Sequence, residues 1–153
     1  ASEITDLNHA VRNVGYSAKY IKDIRHNLAE FADSHKDPIF REAEAFRGRL
    51  ADTYGRIVML FGTEHPAVAP EFLDIRGDWR RAYEESIARV LASTSGAGLG
   101  ATETSNLLNA NRALYRSTLA LMEAVRVLLR LREDLVERLP EVASGNGARA
   151  QPG

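Results

Sequence analysis

The sequence predicts an all-α protein, an antiparallel four-helix bundle whose first and last helices are long. Three observations lead there. Apolar residues recur at alternating steps of three and four, the period of a single helix face. Strand signals are absent: there is no sustained period-two alternation and no Asn-Gly or Asp-Gly turn between apolar runs. Short polar, Gly and Pro breaks divide the chain into four such stretches, and short connections favour antiparallel neighbours.

Helix 1 is expected from about Glu3 to Ala32. Ile4, Leu7, Val11, Val14, Ala18, Ile21, Leu28 and Ala32 fall on one face, with Arg12, Tyr16, Lys19, Asp23, Asn27 and Glu30 opposite. The polar run Asp33-Ser34-His35-Lys36 closes it. Asp37-Pro38 then reads as an N-cap followed by proline at the first helical position, where its missing N–H is no loss. Helix 2 carries Ile39, Ala43, Phe46, Leu50, Tyr54, Ile57 and Phe61 in register, and Gly62 with His65-Pro66 ends it. Helix 3 starts near Pro70 and aligns Phe72, Trp79, Tyr83, Ile87, Val90 and Leu91. Ser93 to Gly100 is expected as a flexible connector.

Helix 4 opens at Thr102 and runs without Gly or Pro to Leu139, about 57 Å against roughly 36 Å for helix 2. Pro140 is the expected terminator. Residues 1–140 thus read as one bundle and 141–153 as a disordered tail, poor in apolar residues. The expected core is Leu7, Val11, Val14, Ile21, Leu28, Phe46, Leu50, Ile57, Trp79, Tyr83, Leu114, Leu121, Val125 and Leu128.

Composition excludes several functional classes. At 153 residues the chain is one domain of ordinary size, with 44% hydrophobic and 27% charged residues. A net charge of −1 gives no bulk attraction to nucleic acid. Without cysteine there is no disulfide, thiolate metal site or thiol catalysis. The longest apolar runs fall far short of the roughly 20 residues that cross a bilayer, and no signal-peptide pattern is present. The chain opens on Ala1-Ser2-Glu3 rather than methionine, as a piece of a longer protein or a cloned product would.

Few residues are arranged for chemistry. Asp6-x-x-His9 and Asp23-x-x-His26 have metal-like spacing, but a di-iron bundle needs such pairs on two facing helices with further glutamates. Here both pairs lie on helix 1, about 25 Å apart, and His35 and His65 sit in loops. No serine has a nucleophile-elbow context. The connector Ser93–Gly100 is glycine-rich, but no strand precedes it and no Lys-Ser/Thr pair closes it, as a phosphate-binding loop requires. Arg112, Arg116, Arg126 and Arg130 are interleaved with Glu123 and Asp134, a solvated face more than a nucleic-acid footprint.

Asp23-x-x-x-Asn27-Leu28-Ala29-Glu30-Phe31 resembles the segment that closes each three-helix repeat of PhoU-type phosphate-uptake regulators. The run from Asn8 to Asn27, with Asn106-Leu107-Leu108-Asn109-Ala110-Asn111-Arg112-Ala113-Leu114-Tyr115-Arg116-Ser117 on helix 4, is similar to one branch of that family. This branch is the PhoU-like domain on the cytoplasmic side of bacterial sodium/phosphate cotransporters. The resemblance implies a PhoU-like bundle that is a non-enzymatic regulatory or accessory domain. It would act through protein contacts with the membrane transporter part of the same polypeptide or complex, at the inner membrane face. PhoU proteins hold metal clusters with an acidic pair on this helix. At the matching positions this chain has Lys19 and Asp23, and an ammonium repels a cation, so neither metal nor cofactor is expected.

The candidate regulatory surface is the outer ribbon Arg12, Lys19, Asp23 and Asn27. Helix 4 offers a second candidate. Its main apolar stripe is Leu107, Leu114, Thr118, Leu121, Val125, Leu128 and Leu135, with Ala120, Ala124, Val127 and Leu131 on a neighbouring side. Val127, Leu131, Leu135 and Leu139 are accordingly the candidate interface, for a homodimer or for the membrane part. The competing expectation is that helices 1 and 3 cover both stripes. Two other functional readings stand beside the regulatory one: a metal-binding bundle, and a free-standing signalling adaptor in phosphate homeostasis.

Overall fold

Helices α1 (Ser2–Ala32), α2 (Asp37–Gly62), α3 (Val68–Gly96) and α4 (Ala101–Ser144) make up the computed structural model. It describes residues 2–62, 68–96 and 98–144, and among these there is no strand. The helices run up, down, up and down. The 44 residues of α4, about 66 Å of helix, pack against all three others, whereas α1 and α3 do not touch among the described residues.

The turns are fixed by specific contacts. Ser34 Oγ accepts a hydrogen bond from the Lys36 amide, and the Lys36 carbonyl accepts the first helical bond of α2, from Phe40. Before α4, Gly98 adopts φ +73°, the left-handed region that glycine enters without a Cβ penalty. Glu103 reaches back to accept from the Gly100 amide at 2.9 Å, half of a capping box. The same carboxylate pairs with Lys36 Nζ at 2.7 Å, tying the α1–α2 turn to the start of α4. Lys36 first, then the Gly100 amide, holds Glu103 below the ordinary glutamate value.

The main core joins Phe31, Phe46, Ile57, Ile75, Trp79, Val90, Leu107, Leu114, Met122 and Val125. A small second cluster, Ala10 with Ala124 and Val127, lies between α1 and α4 alone, with Leu128 and Leu131 packed on it. Phe46, Ile57, Trp79, Leu114 and Val125 are buried as expected, and Ile21, Leu28, Leu50, Tyr83, Leu121 and Leu128 are partly buried.

Helix 1 departs from expectation. Leu7, Val11 and Val14 are exposed, Val11 at 63%. The buried positions are instead Ala10, Ser17, Ile24 and Phe31, a seven-residue repeat. They lie roughly 60–120° round the helix from Leu7. Size explains the difference. Ser17 meets Ser117 at 2.9 Å, Oγ to Oγ, and Ser117 Oγ also donates to the Ser17 carbonyl. Small side chains let the two backbones close up, so the face with less hydrophobic bulk is the one that packs.

The other helices depart by smaller steps. Tyr54, Phe61 and Leu91 are exposed, and Glu42, Thr53, Leu60, Ile75 and Ser86 are buried in addition. Helix α3 continues through Ser93–Gly96, so the connector is shorter than the composition implies. Helix α4 passes through Pro140 to Ser144, so residues 141–144 continue the helix instead of opening a tail. The remainder of that tail, and His65-Pro66, lie outside the described residues.

Candidate functional site

The ribbon Arg12, Lys19, Asp23 and Asn27 lies along one side of α1, away from α2. Arg12, Lys19 and Asp23 are exposed and Asn27 is half-buried. Among the described residues, none of the four makes a hydrogen bond or ion pair, while neighbouring charges do: His26 pairs with Glu30, and Asp6 with Arg130. A charged surface without internal partners keeps its hydrogen-bonding capacity for another molecule.

At the second candidate surface, Val127 follows the competing expectation of cover by α1. Val127 is buried against α1, and Leu131 is partly buried on the same cluster with Ala10 and Ala124. Helix α1 therefore covers the neighbouring apolar side of α4, and Val127 is a core residue. The side chains of Leu135 and Leu139 lie outside the described residues.

Sequence periodicity misses a polar centre between α2, α3 and α4. The Glu42 carboxylate is only 4% exposed, yet it accepts from Ser86 Oγ at 2.7 Å and from Arg89 Nε at 2.6 Å. Its hydrogen bonds to Arg89 raise that guanidinium further above its usual value. One turn along α2 from Phe46, Arg49 lies over the Trp79 ring at 5.0 Å and the Phe46 ring at 5.7 Å. Burial lowers its pKa, opposed by the charge of Glu42. Asn111, fully buried on α4, donates to the Tyr83 carbonyl at 3.0 Å and meets Arg49 at 3.5 Å. Tyr83 stacks on Tyr115 at 4.7 Å between ring centres. The available signal was a charge, Glu42 and Arg49, flanking the apolar face of α2 at a one-turn interval from Phe46.

This centre holds helices together more than it offers a reacting group. The Glu42 carboxylate and the Ser86 hydroxyl each face a partner on another helix, and Trp79 Nε1 donates to Thr53 Oγ1 at 2.6 Å in the same manner. Among the described residues, no three His, Asp or Glu side chains converge as metal ligands would. No described helix is long and apolar enough to cross a membrane. An open hollow of about 560 Å³ lies at the α3–α4 corner, lined by Thr94, Leu99, Thr104, Leu108 and Arg112.

The run from Asn8 to Phe31 on α1 and the run from Asn106 to Ser117 on α4 meet in space. The second half of α1 runs antiparallel to the first half of α4, bracketed by the Ser17–Ser117 contact and the Lys36–Glu103 ion pair. Ile24 and Phe31 from one segment share the core with Leu107, Ala110 and Leu114 from the other. Comparison with known protein families, curated proteins and solved structures gives no match.

Proposed function

We propose that the chain is a regulatory domain of a sodium-dependent phosphate transporter, acting without catalysis through protein contacts at the inner face of the membrane. The observation that carries the reading is the juxtaposition just described. The two PhoU-like segments are distant in sequence but form one packed helix pair, with the unpaired ribbon Arg12, Lys19 and Asp23 on its solvent side. A surface of that kind recognises a partner by charge and hydrogen bonding at little cost to the fold that presents it.

The test is phosphate uptake in cells that carry the transporter together with this chain, wild type or Asp23→Ala. Asp23 is exposed and its side chain makes no hydrogen bond or ion pair among the described residues, so the substitution should leave thermal stability within about 0.5 kcal/mol of wild type. Uptake should change. Unaltered uptake at normal expression would remove the ribbon from the account.

A further inference from the structure

Among the described residues, the cleft between α1 and α2 is uncovered and, apart from Arg47 at its hollow, apolar. Near the turn the helices touch, with Leu28 and Ala32 facing Ala43, Phe46 and Leu50 around a hollow of about 310 Å³. Stepping back along the same side of α1 by threes and fours leads to Val14, Val11, Leu7 and Ile4. Stepping forward along the matching side of α2 leads to Tyr54, Val58 and Phe61. At 26 residues, α2 is about 39 Å long and could lie beside the first half of α1. It does not: all seven side chains are exposed, Val58 at 70%. Ile57 and Leu60 carry the end of α2 into the main core, while Ala10 keeps α1 on α4.

We propose that a second copy of this chain fills the cleft, the α1–α2 pairs of two copies closing into an intermolecular four-helix bundle about a two-fold axis. Three features favour a copy over another partner. The first is area. Seven large side chains exposing roughly 100 Å² each offer about 700 Å², near the roughly 800 Å² that each partner buries in a standard interface. The second is self-complementarity, which a two-fold contact demands. Ile4, Leu7, Val11, Val14 and Ala18 keep a strict three-four spacing, the seam of a left-handed coiled coil. Set antiparallel with Val11 over Val14, each Leu7 meets the small Ala18 of the other copy. The third is charge. No charged residue falls within this seam from Leu7 to Ala18, so two identical surfaces meet along it without repulsion, and Arg47 lines only the hollow near the turn.

The experiment is light scattering of the full chain over a dilution series, with wild type and Val11→Asp, alongside sedimentation with anionic phospholipid vesicles. The wild type should show twice the chain's 16.9 kDa and fall to the monomer on dilution. Val11→Asp should be monomeric at every concentration with an unchanged helical circular-dichroism spectrum. A wild-type monomer at the highest soluble concentration overturns the proposal, as does a dimer that survives Val11→Asp. A monomer that sediments with vesicles also overturns it and gives the cleft to a lipid surface. The dimer stands or falls on these results whatever the uptake assay returns.

Discussion

At Glu42 a carboxylate has left water for the packed space between α2 and α3, and its two partners are unequal. Ser86 is fully buried, whereas Arg89 is 47% exposed. Removing either end of the pair therefore has different consequences. Glu42→Gln leaves Arg89 free to turn toward solvent and should cost about 1–2 kcal/mol, the loss of a charge-assisted hydrogen bond. Arg89→Ala leaves a buried carboxylate hydrogen-bonded only to the neutral hydroxyl of Ser86, with Arg49 the remaining nearby cation, and should cost about 3 kcal/mol. Urea unfolding of the two variants checks the order. Equal losses would mean that water reaches Glu42. Residues of this kind were not legible from periodicity, because a hydrophobic pattern counts a carboxylate as solvent-facing. Trp79, Phe46 and Leu114 were legible because large apolar side chains at helical spacing have few alternatives to the core.

Among the elements, α1 and α4 pack through Ala10, Ser17, Ser117 and Ala124, residues whose small size matters more than their hydrophobicity. Ser117→Leu would add bulk where two helices meet at 2.9 Å between side-chain oxygens. It should cost about 1–3 kcal/mol as the helices are pushed apart. Thermal melting of this variant against Ser117→Ala, which adds no bulk, separates crowding from loss of the hydrogen bond. A greater loss in the alanine variant would assign the contact to hydrogen bonding. The existence and order of all four helices were legible in the sequence, since each has its own periodic stretch and a turn signal after it. The rotation of α1 about its axis was not. Its large apolar residues form a seam as regular as any core face, and only the three-dimensional closeness of small residues decides which face turns inward. The ends were hidden for a related reason. Ser93–Gly96 is poor in helix formers but continues a helix already nucleated by its packed part.

On the scale of the whole molecule, α4 is the central post. Helix α1 is held on one side by the small residues Ala10 and Ser17 and, nearer the turn, by Ile24 and Phe31 in the main core, and α2 and α3 on the other by that core and a polar centre. The bundle consequently has one well-filled half and one open cleft. Helix α1 contributes to both proposed contact surfaces: a polar ribbon on one side and, with α2, an apolar cleft on the other. The ribbon is a site only under the proposed function; the seam is visible as a pattern in the sequence, which reads as a core face.

Whether that seam lies outside the chain's own core is tested most directly by two neighbouring substitutions, Ala10→Asp and Val11→Asp. Both are followed by thermal melting at a dilution where light scattering shows only monomer. Ala10 is 1% exposed between α1 and α4, and a charge there should cost at least about 3 kcal/mol. Val11 is 63% exposed, and the same charge should leave the melting temperature nearly unchanged. Loss of the fold in Val11→Asp, with Ala10→Asp tolerated, would contradict the account and return the seam to the core.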